Sequence, residues 1–176
     1  MRKVVLYIAM SLDGYIADKN GGVDWLKGDG SDPENQGSYP DFIKTIDTVI
    51  LGHTTYHQIA TELSPDVWMY EGKLTYVLTH KKYENKEDIL FIDENVSELI
   101  ERLKIEEGKD IWICGGATIV NQLLQTDLID RFCFTLIPTI LGKGIKLFDS
   151  FDKEKTLKFI STKNYNGMID LVYERQ

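Results

Sequence analysis

Ile111-Trp112-Ile113-Cys114-Gly115-Gly116-Ala117-Thr118, running on into Ile119-Val120-Asn121-Gln122-Leu123-Leu124, decides the fold class. Ile111 to Cys114 is a short apolar run of the kind a buried strand needs. In the segment after it, Ile119 and Leu123 stand four apart, as do Val120 and Leu124, which is helical spacing. The two are joined by Gly-Gly-Ala-Thr, where side chains barely shield the backbone. A strand that ends in glycines and opens a helix leaves free N–H groups and the positive end of a helix dipole pointing outward, a setting that suits a phosphate.

Two other stretches repeat the pattern. Val49-Ile50-Leu51-Gly52-His53-Thr54-Thr55-Tyr56 again reads strand, glycine, helix, with hydroxyls in the first turn. Val77-Leu78-Thr79-His80-Lys81-Lys82 ends a strand with a hydroxyl, an imidazole and two ammonium groups. Taken singly, the glycines can serve only to let a helix start close to a strand, and Lys81-Lys82 can be a solvated turn. Placed together at one sheet edge, the turns can grip an extended anionic cofactor from both sides. The spacing is not the G-x-G-x-x-G fingerprint, and no acidic residue follows at the expected distance, which argues against a standard Rossmann domain.

Outward from these turns the elements alternate. Strands are expected at Lys3–Ala9, Thr48–Leu51, Leu74–Thr79, Ile89–Ile92 and around Ile111–Cys114. Helices are expected at Tyr39–Thr45, with Phe42, Ile43 and Ile46 inward, at His53–Thr61, and after a cap at Asn95 or Ser97, where Val96, Leu99, Ile100 and Leu103 mark a buried stripe. After Asp127 come Arg131–Pro138, Leu157–Tyr165 and Ile169–Arg175, with Asn166-Gly167 as a hairpin turn between the last two. The expected fold is α/β in one domain over residues 1–176, parallel in its first two-thirds and antiparallel at its C-terminal end. The Gly/Asp/Ser-rich stretch Gly28 to Gly37 reads as an exposed, mobile loop.

At 176 residues, 43% hydrophobic and 27% charged, the chain suits a single globular core. A net charge of −8 argues against nucleic acid as a partner, because affinity there comes from basic groups against phosphates. Met1-Arg2-Lys3 and the apolar run behind it resemble a signal sequence only superficially, since Asp13 comes too soon, and no run approaches membrane-spanning length. Cys114 and Cys133 fall inside expected strands as buried thiols, which favours the cytoplasm.

The loop after the first strand carries Asp13, Asp24 and Trp25, polar and aromatic groups suited to a lid over a planar ligand, or else a self-anchored loop. His53 and His57 stand four apart without the third ligand that a zinc site needs, so no metal is expected. No nucleophile elbow or Walker loop is present.

In order along the chain stand Ser11-Leu12-Asp13-Gly14 with Ile16-Ala17, Asp24-Trp25-Leu26, Val49-Ile50-Leu51-Gly52-x-x-Thr55-Tyr56, Ile113-x-Gly115-Gly116-Ala117 and Pro138-x-x-Leu141-Gly142-x-Gly144-x-x-Leu147-Phe148. Together they resemble the dihydrofolate reductase-like superfamily, in its riboflavin-biosynthesis reductase (RibD C-terminal domain) branch. The resemblance implies a mostly parallel sheet of about eight strands with flanking helices and antiparallel C-terminal strands. It further implies an NADPH-dependent oxidoreductase, NADH not excluded, that transfers hydride to a small pyrimidine- or pteridine-type heterocycle, as a 5-amino-6-(5-phosphoribosylamino)uracil reductase does. A non-catalytic nucleotide- or pterin-binding module, or a dihydrofolate reductase with a displaced catalytic acid, is the alternative. The family implies a homodimer in the cytoplasm, with neither nucleic acid nor membrane as partner.

By the same resemblance, Gly115, Gly116, Ala117 and Thr118 contact the cofactor pyrophosphate, and Gly52, His53, Thr54 and Thr55 hold its other side. Leu78, Thr79 and His80 lie near the adenosine 2′-phosphate. Ala9, Ile16 and the Leu141–Gly144 segment border the nicotinamide and substrate. Trp25, Asp41, Phe42 and Leu141 are the candidate substrate contacts, and Asp13 the candidate catalytic residue, as a polar substrate contact or proton relay. The chain departs from the pattern at three places: His53 stands where the family often has Arg, Tyr15 where riboflavin reductases often have Lys, and Ser38 where dihydrofolate reductases carry a helix carboxylate.

Overall fold

The computed structural model describes residues 1–150 and 154–176. Its centre is an eight-stranded sheet built from β1 (Val4–Ser11), β3 (Ile46–Gly52), β4 (Leu74–Leu78), β5 (Ile89–Ile92), β6 (Asp110–Gly115), β7 (Arg131–Ile137), β9 (Leu157–Tyr165) and β10 (Met168–Arg175). The order across it is β5-β4-β3-β6-β1-β7-β10-β9. The first six strands in that order run parallel, and β10 and β9 then join antiparallel.

Helices cover both faces, so the inner strands are apolar on both sides. On one face, α3 (Val96–Ile105) and α4 (Ala117–Gln125) bury Leu99, Ile100, Leu103, Val120 and Leu123 against Leu6, Ile50, Ile111 and Ile113. On the other, α1 (Tyr39–Thr45) and α2 (His53–Gln58) cover Val49, Leu51, Val77 and Trp112. The expected strands and helices form with shifts of a few residues. Asn95 is the cap of α3: its side chain accepts the Ser97 and Glu98 N–H groups. The helix expected over His53–Thr61 stops at Gln58 and continues as a π-helical turn, Ile59–Leu63. Cys114 and Cys133 are free thiols, and burial pushes them up to about 11 and about 12.

Two features were absent from the sequence-based expectation. β2 (Tyr15–Ala17) and β8 (Ile145–Lys146) pair as a small second sheet beside the main one. The Gly28–Gly37 stretch, expected as an exposed, mobile loop, is largely exposed and makes specific contacts with the β9–β10 turn. Asn166 accepts the Asp29 N–H through its carbonyl, and the Gly30 and Asp32 N–H groups through its side chain. The packing leaves no room for a side chain, since a Cβ on Gly28 would lie 2.2 Å from the Asn166 carbonyl oxygen. Asn166 (φ 46°) and Gly167 (φ 71°) are both left-handed, as a tight primed hairpin turn requires.

Candidate active site

Parallel pairing brings the C-terminal ends of β1, β3, β4, β6 and β7 to one edge of the sheet. Register places Leu51 beside Gly115 and Gly52 beside Leu78. The two glycine turns are therefore neighbours, and a Cβ built on Gly116 would stand 3.5 Å from Thr55 Oγ1. The Gly115–Gly116 peptide is cis. Gly52 and Gly116 are the N-caps of α2 and α4, and neither helix has a side-chain cap or an acidic residue in its first turn. At α4, nine residues long, the leading N–H groups and the positive dipole end are left to whatever lies outside. Thr54 and Thr118 are exposed there, Thr55 and Ala117 half-buried.

Beyond Gly52, the His53 ring stacks on Tyr83 with centroids 4.8 Å apart. Partial burial, helped by the charges of Lys81 and His57, pulls the His53 imidazole below its ordinary 6.5, so the neutral ring prevails at neutral pH. Positive charge at this end comes from Lys81 and Lys82, both exposed. Thr79 Oγ1 accepts the Lys81 N–H at 3.1 Å and fixes the turn. His80 points elsewhere, toward Asp93, with its Nδ1 2.7 Å from the carboxylate.

On the face covered by α1, Tyr7, Phe42, Tyr39 and Trp112 form an aromatic wall: Tyr7 stacks on Phe42 at 4.3 Å, and Phe42 meets Trp112 edge-on at 5.4 Å. Ala9 lies on β1 opposite Thr135 of β7, on the same face as Tyr7 by strand alternation. Asp41 is not brought to this wall; it sits on the outer face of α1, paired with Lys44 at 3.2 Å. Trp25 is half-buried in its own loop, its indole N–H donating to the Gly22 carbonyl at 3.2 Å. That loop is tied to α2 by Gln58, whose side-chain amide donates to the Gly21 carbonyl. Ile16 packs against the larger core cluster.

Asp13 joins two loops. One oxygen takes the Ser11 hydroxyl (2.6 Å) and the Leu141 N–H (3.1 Å), and the other takes the Gly142 N–H (2.7 Å). The Ser11 bond, aided by the two amides, holds this exposed carboxyl below its ordinary 3.8. A group with a depressed folded-state pKa contributes stability above its unfolded value and loses it as pH falls through the folded value. The Gly142 amide resonance is therefore expected to titrate with a midpoint under 3.8 in an NMR pH series, and to stop titrating in that range in Asp13→Asn.

Sequence reasoning missed Asp170. This β10 residue is 3% exposed and lies opposite Thr135 in the β7–β10 ladder. It accepts the Thr135 hydroxyl at 2.7 Å, the Tyr165 phenol at 3.1 Å, and both the N–H and the hydroxyl of Ser38. Ser38, the position at which a helix carboxylate was expected, is thus bonded to a carboxylate from another element. The faint signal was an acid at the inward register of a strand whose neighbour, Ile169, is 41% exposed.

Among the described residues, no helix is long and apolar enough to cross a membrane, and no three His, Cys, Asp or Glu side chains gather as metal ligands. The solved structure of a putative riboflavin biosynthesis protein from Shewanella sp. PV-4 superposes with a TM-score of 0.84, at 26% identity over 99% of both chains. A dihydrofolate reductase from Enterococcus faecalis, solved with NADP(H), superposes with a TM-score of 0.69 at 21% identity, over 99% of this chain and 96% of that one, which establishes the fold. The Bacillus subtilis (strain 168) uncharacterized protein YwjB is 44% identical over 99% of this chain and 98% of its own length. Residues 2–170 match the sequence profile of the RibD C-terminal domain, and the chain belongs to that family.

Proposed function

We propose that this protein is an NAD(P)H-dependent reductase that transfers hydride to a small heterocycle of the pyrimidine or pteridine type, in the manner of a riboflavin-biosynthesis reductase. The observation that carries the reading is the pair of uncapped glycine turns, Gly52 and Gly115-Gly116, side by side at the strand ends. Bare backbone N–H groups and an unneutralised helix dipole fit a pyrophosphate. Gly115, Gly116, Ala117 and Thr118 hold it on one side, with Gly52, His53, Thr54 and Thr55 on the other. Leu78 and Thr79 border the adenosine end, where Lys81 and Lys82 are the exposed cations. The cofactor, when bound, supplies the hydride. The chain's own residues position the partners: Ala9, Ile16 and Leu141 border the nicotinamide and substrate, and Phe42 and Trp25 wall the substrate. Asp13 fixes the Leu141–Gly142 backbone as a carboxylate.

Titration with NADPH is expected to saturate, by fluorescence or thermal shift, below millimolar levels. Steady NADPH oxidation with a pyrimidine or pteridine substrate separates a reductase from a binding module on the same fold. No saturation at millimolar NADPH overturns the reading.

A neutral His53 contributes no charge toward a 2′-phosphate, while an arginine is always charged and can bind phosphate with two parallel hydrogen bonds. His53→Arg is expected to tighten NADPH by about tenfold, the worth of one charge-assisted hydrogen bond, and to leave NADH unchanged. In the parent protein, the His53 contribution to NADPH over NADH appears only as pH falls below 6.5, where the imidazole gains its proton.

We also propose that a second copy of this chain docks on β9. This edge strand is exposed along almost its whole length, with Phe159 and Ile160 on it, and an unpaired strand edge is a template for association. A mass near twice 20.2 kDa by light scattering is expected, falling to the monomer value in Phe159→Lys.

A further inference from the structure

Two asparagines in this chain, Asn20 and Asn166, stand directly before glycine. Such a pair is open to attack within itself, because glycine has no Cβ to keep its backbone nitrogen away from the asparagine side chain. The fold treats the two pairs in opposite ways. The carbonyl of the Asn166–Gly167 peptide accepts the Asp29 N–H at 2.9 Å, and the Asn166 side-chain oxygen accepts the Gly30 and Asp32 N–H groups at 2.9 and 3.2 Å. The attacking peptide and its target are both held there, in a hairpin closed by Tyr165 opposite Met168. A Cβ on Gly167 would lie 2.5 Å from the Asp29 carboxyl carbon, so the turn is also enclosed. Asn20, by contrast, is exposed, and its side chain makes no hydrogen bond among the described residues. One bond restrains the attacking nitrogen, from the Gly21 N–H to the Asp18 carbonyl at 3.0 Å. A Cβ on Gly21 would meet nothing within 4 Å, so a ring has room to form.

We propose that Asn20 is a site of spontaneous deamidation and isomerisation, and that the fold shields Asn166 although it carries the same dipeptide. The Gly21 nitrogen attacks the side-chain carbonyl carbon of Asn20 and forms a C–N bond. The side-chain nitrogen leaves as ammonia, taking the Gly21 amide proton with it. Water then opens the cyclic imide. Opening at the side-chain carbonyl gives aspartate; opening at the main-chain carbonyl gives isoaspartate, in which the chain runs on through the former side chain. One water is consumed and one ammonia released, with no change of oxidation state.

Either product adds a carboxylate to a turn already organised by one. Asp18 Oδ1 accepts the Asn20 N–H at 2.7 Å and the Gly22 N–H at 2.9 Å, and the Asp18 N–H reaches the Gly22 carbonyl at 2.9 Å. Isoaspartate also lengthens the main chain by a methylene inside this closed turn, so these bonds no longer all fit. The same turn presents the Gly21 carbonyl to the Gln58 amide at 2.9 Å and the Gly22 carbonyl to the Trp25 indole N–H at 3.2 Å. Conversion at Asn20 therefore releases the Trp25 loop from α2. Any effect on substrate rests on the reductase reading above; the conversion itself does not.

The test ages the folded protein in mildly alkaline buffer, with a parallel sample in guanidinium, and digests both with pepsin at low pH to stop the reaction. Mass spectrometry follows each Asn-Gly peptide, and an isoaspartyl methyltransferase labels the isoaspartate. In guanidinium the two sites are expected to convert at similar rates. In the folded protein Asn20 is expected to convert about tenfold faster than Asn166 or more, since two additional hydrogen bonds must open at Asn166. NMR gives the second readout, because three tryptophans leave a simple indole N–H region. The Trp25 resonance is expected to move as Asn20 converts, while those of Trp68 and Trp112, bonded to Thr75 and Tyr7, stay in place. Asn20→Ser has no amide to lose, and its Trp25 resonance is expected to hold through the same ageing. Equal rates at the two sites in the folded protein, or an intact Asn20 when the denatured chain is consumed, overturns the proposal. Conversion with the Trp25 resonance unmoved, or an equal shift in Asn20→Ser, overturns the release of the loop. Conversion and release in a protein that does not bind NADPH strike the reductase reading alone.

Discussion

Gly116→Val will remove NADPH binding and leave the protein folded. Gly116 has φ −80°, which any residue adopts, and its nearest neighbour beyond the adjoining chain would be Thr55 Oγ1, in ordinary contact at 3.5 Å from an added Cβ. An added Cβ therefore meets no clash beyond the adjoining chain. The space between the two glycine turns does not accommodate a larger side chain, because a branched one holds a phosphate away from the leading N–H groups of α4 and its dipole. Loss of one or two charge-assisted hydrogen bonds corresponds to about 100-fold in Kd, with about tenfold for the smaller Gly116→Ala. Isothermal titration reads the affinities and a melting curve reads the fold. Gly115→Ala is the contrasting control, since Gly115 has φ +124° and any side chain strains the backbone itself. Its melting temperature should fall where that of Gly116→Val does not. A valine variant that still binds NADPH as the parent does would remove the glycine turn from the cofactor site.

The second large effect is on stability. Asp170→Ala strands the Ser38 N–H and leaves the Ser38, Thr135 and Tyr165 hydroxyls without their acceptor, in a place that is nearly closed to solvent. Each orphaned donor costs about 1–3 kcal/mol when fully buried. Ser38 and Tyr165 are half-buried and regain water in part, so the sum expected is about 3 kcal/mol. For a chain of this size that lowers Tm by about 6–12 °C. The loss should centre on α1. That helix has no side-chain cap of its own, and its leading residue Ser38 is pinned by Asp170 instead. Hydrogen exchange should show α1 opening first in the variant, with α3 and α4 protected as before. A variant as stable as the parent would mean that water satisfies these groups unaided.

The sheet was legible because its strands are short apolar runs punctuated by glycine, and helical spacing separates them from α3 and α4. Strand–helix alternation implied parallel pairing, and that alone carries Gly52, Thr79 and Gly115 to one edge. What stayed hidden depended on contacts between distant segments. Asp170 sits in Ile169-Asp170-Leu171, which reads as an ordinary alternating strand with a solvated acid. Only the antiparallel pairing of β10 with β7, and the seating of α1 above both, turns that acid inward. Asp13 was legible as a candidate, but its contacts were not, because its partners Leu141 and Gly142 contribute backbone N–H groups, which no side-chain pattern advertises. The Gly28–Gly37 stretch looked loose by composition, yet Asn166 presses against Gly28 and Tyr165 against Gly37, so neither position has room for a side chain.

The Ser38–Asp170 bond also bears on how the molecule is made. Its two ends are 132 residues apart, so a chain leaving the ribosome synthesises α1 long before the residue that seats it. The glycine-turn edge is complete once β6 and α4 have emerged, whereas the aromatic wall waits for β10. The two glycine turns are thus assembled before β10 brings Asp170 beneath α1, so one end of the strand edge is ordered during synthesis while the aromatic wall still lacks the residue that seats it.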